Sequence, residues 1–198
     1  MVIAYHLMFT GYGHWLPNDP RGSMSRKTHT PELAQFGKTH HGRKSAQPSL
    51  GELREFSRRA EPRLAHPILW FDPSRRRALV EAIGSVVRDE RLTCYACAVL
   101  TNHVHVLIRK HRLRGEQMRD RIRQAGRDAL HQAGLVPPEH PVFSERSCIV
   151  YKDDPASVGT CIHYINDNFA KHRLAPTIYE FVVPYDNWPF HKQGRRGR

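Results

Sequence analysis

Long hydrophobic runs are missing from this 198-residue chain. No stretch approaches the ~20 apolar residues that a helix needs to cross a bilayer. Acidic residues are scarce: Asp and Glu number 19 against 31 Lys and Arg, a formal net charge of +12 with neutral histidine. The sequence pI is about 10.0. Such a field favours a polyanionic partner, nucleic acid first and an anionic membrane second. Cysteine is limited to four residues, Cys94, Cys97, Cys148 and Cys161. The opening "MVIAYHLMFTGYGHWL" has no basic segment before its apolar run and contains His6 and His14, so it does not read as a secretion signal. A cytosolic chain with free thiols, not a disulfide framework, is the expectation. Internal repeats are also missing.

What is present is a mixed α and β pattern. "VIAYHLMF" (2–9) reads as a first strand, ended by Gly11 and Gly13. Residues 17–66 are rich in Pro, Gly, Ser, His and basic side chains. They read as a long irregular insertion, with a short helix expected near "LGELREFSRRAEPRL". "FDPSRRRALVEAIGSVVRDERL" reads as a helix capped by Asp72, with Pro73 at its first position and Leu79, Ile83, Val86 and Val87 as its apolar stripe. "TCYACAVL" and "HVHVLIRK" read as two strands of a hairpin turning at Thr101-Asn102. "GEQMRDRIRQAGRDALHQAG" reads as a helix with Met118, Ile122, Ala125, Ala129 and Ala133 inward, basic residues outward and Gly134 as its stop. "SCIVYK" reads as a further strand, and Asp154-Pro155 opens a last helix running to about His172. A short extended piece is expected around Trp188, followed by a basic tail at 191–198.

The first six elements follow the order strand, helix, strand, strand, helix, strand. That is the split βαβ, ferredoxin-like order. The expected fold is therefore α+β: a largely antiparallel sheet with an appended C-terminal helix, in one domain over 1–198 that carries the insertion and the tail.

Chemistry concentrates in two places. In "TNHVHVLIRK", His103 and His105 are two apart in a strand and share a face, while Val104, Val106 and Ile108 point the other way, toward a core. Two imidazoles at this spacing can bind one metal ion. They are equally compatible with two surface histidines on a half-exposed strand. A zinc site with Cys94 and Cys97 is disfavoured, because residues three apart in a strand lie on opposite faces. A histidine-triad hydrolase needs a third alternating histidine, and position 107 is Leu107. In the last helix, Val158, Ile162, Ile165 and Phe169 form the expected buried stripe. Tyr164 lies off that stripe, with Asn168 one turn on at its side. Taken alone, Tyr164 reads as an ordinary half-buried helix tyrosine. Beside a histidine pair and a basic surface it becomes a candidate nucleophile. Phenols ionise only near pH 10, so attack on a phosphate needs a divalent cation's help.

These residues carry a resemblance. "NHVHVLI" after a strand resembles the His-hydrophobe-His motif of HUH nucleases. "YINDN" followed by "AKHRL" resembles the tyrosine helix of single-tyrosine transposases, in particular the REP-associated tyrosine transposases and their insertion-sequence (IS200-like) relatives. "YGHWLPNDPRGS" resembles a stretch in some of the same group. The resemblance does not extend to residues 22–66. It implies a single-stranded DNA endonuclease and strand transferase that forms a 5′-phosphotyrosine intermediate. Tyr164 would be the nucleophile, and His103, His105 and Asn168 the ligands of Mg²⁺ or Mn²⁺. The substrate would be single-stranded DNA, often beside a hairpin, in a prokaryotic, cytoplasmic, nucleoid-associated setting. Members occur as monomers and as homodimers. Basic side chains would hold the DNA backbone: Arg109, Lys110, Arg119, Arg123, Lys171 and the 195–198 tail. Phe169 and Arg173 stand where the group has proline and glycine, changes that favour a longer helix. The alternatives are a non-catalytic nucleic-acid-binding module on the same fold, and a structural zinc protein using Cys94 and Cys97.

Overall fold

The computed structural model describes residues 1–23, 25, 33 and 35–190, apart from the side chains of Leu50 and Arg146. Among the described residues four strands and four α-helices follow one another: β1 (Ala4–Gly11), α1 (Leu50–Ala60), α2 (Pro73–Asp89), β2 (Cys94–Val99), β3 (His103–Arg109), α3 (Gly115–Gln132), β4 (Phe143–Lys152) and α4 (Pro155–Lys171). The strands form one sheet in the order β2-β3-β1-β4, and every neighbouring pair is antiparallel. The β1-α2-β2 unit therefore straddles β3, and β3-α3-β4 straddles β1, as the order of elements in the sequence leads one to expect. α1 falls inside the expected insertion, capped by Ser49 and Glu52 in a reciprocal box.

The sheet has two apolar faces, set by strand alternation. Tyr5, Leu7 and Phe9 of β1 and Val104, Val106 and Ile108 of β3 pack beneath Leu79, Ile83 and Val87 of α2 and Met118, Ile122 and Leu130 of α3. Fully burying each such side chain contributes roughly 1.5–3 kcal/mol. On the second face Ala4, Ala96, Ala98 and Leu107 meet Val158, Cys161, Ile165 and Phe169 of α4. Ala96 and Ala98 let α4 lie close over β2. His103 and His105 belong to this second face.

Three sequence expectations change within the sheet and the helices. Cys94 and Cys97 are on one face, not two. The β2–β3 register slips between Cys94 and Ala96, so Cys94 opposes Ile108 and Cys97 opposes Val106. The extra residue of this bulge turns both thiols into the α2/α3 core, away from the histidines. Along α3 the buried line is Met118, Ile122, Gly126 and Leu130, in place of the alanines. At Gly126 α3 packs tightly on α2: a Cβ there would come 2.9 Å from Leu79 Cδ2. Finally, α4 is not lengthened by Arg173. It ends at Lys171, and Arg173 takes the left-handed conformation with φ 54°. Arg173 N–H donates to the Ala170 carbonyl and Leu174 N–H to the Phe169 carbonyl, each at 2.9 Å. This pairing is the Schellman stop that glycine normally makes.

Loops bind the ends of β1 and β3 together. Gly11 N–H donates to Asn102 O (2.8 Å), Leu69 N–H to Tyr12 O (3.0 Å) and Phe71 N–H to Thr101 O (2.7 Å). A Cβ on Gly11 would lie 2.7 Å from the Leu69 carbonyl oxygen, so only glycine permits this approach. Leu100 N–H donates to His103 O at 2.9 Å, closing the expected hairpin at Thr101-Asn102. Near the C-terminus the extended contact is made by Val182, bridged to Cys94, and not around Trp188. The 191–198 tail lies outside the described residues.

Candidate active site on the histidine face

His105 is central to this face. It opposes Met8 of β1 on one side and Ala98 of β2 on the other. Its ring is 2% exposed. Nδ1 lies 2.9 Å from Nε2 of His6. Nε2 is buried with no hydrogen-bond partner among the described residues. His103 sits two residues nearer the hairpin, ring centroids 4.7 Å apart. Its Nδ1 is 2.7 Å from Oδ1 of Asn102. That carboxamide oxygen only accepts, so Nδ1 carries the ring proton and Nε2 keeps its lone pair.

α4 brings the tyrosine to this face. Its N-terminus is fixed by Asp154, which accepts from Ser157 N–H, and its C-terminus by the Arg173 stop. Tyr164 is 45% exposed. Its ring stands edge-on to His105 at 5.5 Å and to His6 at 6.1 Å. The ammonium of Lys171 lies 4.9 Å from the same ring's centroid. Asn168, one turn on, is 5% exposed and donates from Nδ2 to the Tyr164 carbonyl at 2.6 Å. That bond leaves Oδ1 as the free end of the carboxamide. His172, the α4 cap, is 5.0 Å from His103 between ring centroids and 2.7 Å from Thr101 Oγ1 through Nδ1.

Burial keeps these imidazoles neutral. Desolvation pushes His103 down to about 3, helped by His172, His14 and Arg21. His6 is pushed down to about 4 by burial and then by Lys152. His105 lies well below its ordinary value, chiefly through burial and then through His103. His172 is lowered by burial and then by Lys171. Rings that stay neutral at pH 7 offer lone pairs without first losing a proton, as a cation requires.

Among the described residues no three of His, Cys, Asp and Glu gather into a metal-ligand set. A divalent ion here would be held by His103, His105 and the amide oxygen of Asn168. The buried Nε2 of His105, without a partner among the described residues, fits that use in the tautomer that leaves it a lone pair. A neutral set with two imidazoles suits Mn²⁺ better than Mg²⁺.

The other basic residues are dispersed. Arg109 and Lys110 are at the far end of β3, where Arg109 pairs with Asp186 at 3.5 Å. Arg119 and Arg123 lie on α3, across the sheet from the histidines. Arg123 donates to the carbonyls of Ser144 (2.6 Å) and Glu145 (3.2 Å). Only Lys171 of the five stands beside Tyr164. Sequence reasoning missed His6, Asn102 and His172. His6 could have been suspected from its place in an alternating strand. The partners of the other two depend on the hairpin turn and the α4 cap.

No family model matches this chain, and no curated protein matches it. Two solved structures are similar at low identity. One is a REP-associated tyrosine transposase bound to a REP hairpin: 13% identity, TM-score 0.45, covering 87% of this chain and 69% of that one. The other is a putative transposase from Deinococcus radiodurans: 12% identity, TM-score 0.40, covering 84% of this chain and 91% of that one. These are distant likenesses of shape.

Proposed function

We propose that this chain is a metal-dependent single-stranded DNA nicking and rejoining enzyme, a transposase of the single-tyrosine HUH kind. The observation that carries the reading is the meeting of Tyr164, exposed on α4, with a buried histidine face on which His105 Nε2 has no hydrogen-bond partner among the described residues. Tyr164 Oη attacks the scissile phosphorus. A 5′-phosphotyrosine bond forms, the P–O3′ bond breaks, and the phenolic proton is balanced by the one taken up at the leaving 3′-oxygen. A 3′-hydroxyl then reverses the step on the same or another strand, with no added energy. When bound, a divalent ion polarises the phosphate and offsets its charge in the transition state. His103 and His105 would hold it through neutral ring nitrogens, and Asn168 through its amide oxygen. Asn168 also donates to the backbone carbonyl of Tyr164, which fixes its carboxamide one turn from the nucleophile. Lys171 supplies positive charge beside the attacking ring. Arg109, Lys110, Arg119 and Arg123 would contact DNA that runs beyond the site. The +12 net charge supports a polyanionic substrate whose binding weakens with salt. DNA hairpins beside the cleavage site and a homodimeric state belong to the same reading.

The test is a denaturing gel of the full chain with labelled single-stranded oligonucleotides, some carrying hairpins, with Mn²⁺, Mg²⁺ or EDTA. A metal-dependent band that survives denaturation, and is lost in Tyr164→Phe and His103→Ala, is the expected result. Binding to the same DNA with no such band under any metal would leave a non-catalytic binding module instead.

A further inference from the structure

We propose that His6 is a positioning residue for this site: it accepts the Nδ1 proton of His105 and so fixes the tautomer that leaves His105 Nε2 bare. The inference rests on the metal-site reading above and goes beyond its ligands to the group that prepares one of them. His6 Nε2 and His105 Nδ1 are 2.9 Å apart, so one proton lies between the two nitrogens. Two arrangements are open to neutral rings. If His6 donates, His105 must carry its own proton on Nε2, where it is buried with no acceptor among the described residues. If His105 donates, Nε2 holds a lone pair, which an incoming cation can use. The second arrangement turns an orphaned atom into a ligand, and a second histidine on Nδ1 fixes ring orientation and raises basicity.

The surroundings suit this role. His6 lies on β1, a central strand paired on both sides, opposite Leu107 of β3 and Val150 of β4. It is therefore diagonal to His105, whose direct partner is Met8. Diagonal neighbours in an antiparallel pair lie within reach of long or aromatic side chains. The two rings sit 5.0 Å apart between centroids, tilted 30°. Both are nearly inaccessible, His6 at 4%. A rigid strand thus holds the acceptor, and Asn102 performs the matching task for His103. Each histidine of the pair would have its rear nitrogen pinned by a neighbour.

Two readouts test this without measuring DNA cleavage. Two-bond ¹⁵N–¹H correlation spectra of the full, metal-free chain report the tautomer of each histidine. The expected result is Nδ1–H for His105 in the wild type. Nε2–H there would overturn the inference with no variant needed. Mn²⁺ binding followed by the electron paramagnetic resonance signal of the free ion should weaken roughly 10–100-fold in His6→Leu, the range seen for such outer partners. His6→Gln, whose amide oxygen can still accept, should recover most of the affinity. Unchanged Mn²⁺ affinity in a folded His6→Leu protein overturns the inference. If His6→Leu does not fold, the wild-type tautomer and His6→Gln decide. His105→Ala separates the two levels. Loss of Mn²⁺ binding in His105→Ala alone, with His6→Leu unaffected, removes only the His6 role. Undiminished binding in both His105→Ala and His103→Ala removes the metal reading, and the His6 role with it.

Discussion

Acid should unfold the metal-free protein well before its carboxylates titrate, and His14 gives the size of the effect. The ring is buried, and its Nε2 lies 3.0 Å from the Leu69 carbonyl. Desolvation pushes its pKa from 6.5 down to about 4, outweighing the Leu69 carbonyl, which pulls it up. In the unfolded chain the ring takes its proton near 6.5; in the folded chain it does not until about 4. Between these values the unfolded state binds more protons, so stability falls as pH falls. Above 6.5 His14 contributes no pH dependence. At pH 5 the loss from this one ring is about 2 kcal/mol, and below pH 4 it reaches about 3 kcal/mol. That is a large part of a typical 5–15 kcal/mol. His6 and His103 are displaced in the same direction, so the whole protein should lose more. Carboxylates of ordinary pKa near 4 are still mostly ionised at pH 5. Urea unfolding in EDTA at pH 7.5, 6 and 5 measures the slope. His14→Gln keeps an N–H for the Leu69 carbonyl and does not titrate, so its stability should fall by about 2 kcal/mol less than wild type between pH 7.5 and 5. A wild-type midpoint unchanged from pH 7.5 to 5, or an equal loss in His14→Gln, would refute the reasoning.

Other expected outcomes follow from local geometry. Arg173→Gly should stabilise the chain by about 1 kcal/mol, because a side chain at φ 54° is strained where glycine is not; thermal melting should rise by roughly 2–4 °C. Gly11→Ala should cost about 1–3 kcal/mol by forcing its Cβ against the Leu69 carbonyl, read as a lower urea midpoint. Thr101→Val removes the hydroxyl bonded to His172 and should cost about 1 kcal/mol. Arg123→Met should cost about 1–3 kcal/mol by freeing the Ser144 and Glu145 carbonyls, again read by urea unfolding.

Much of the architecture was legible in the sequence because it rests on periodicity and punctuation. The alternation of His103, Val104, His105 and Val106 places imidazoles and valines on opposite faces whatever the neighbours do. Asp72-Pro73 and Asp154-Pro155 open α2 and α4 where the chain says they should. The side-by-side placement of Tyr164 and Asn168 follows from 3.6 residues per turn. What was not legible depends on register and close packing. The bulge between Cys94 and Ala96 reverses the facing of one cysteine, and no residue there announces it. Gly126 reads as a weak point in a helix until Leu79 is known to press on it. Arg173 reads as a helix former, yet the bonds of Ala170 and Phe169 hold it in a turn. His6 meets His105 only because β1 opposes Leu107 with His6 and His105 with Met8. A shift of one pair would turn His6 into the other core.

The most direct measurement is the site of covalent attachment to DNA. After incubation of the full chain with a hairpin-bearing single-stranded oligonucleotide and Mn²⁺, nuclease and protease digestion followed by mass spectrometry locates the phosphonucleotide. Attachment at Tyr164, absent when EDTA replaces Mn²⁺, is the expected result. Attachment at another residue such as Tyr151, which is also exposed, or an adduct that forms equally well in EDTA, would contradict the assignment of nucleophile and metal site.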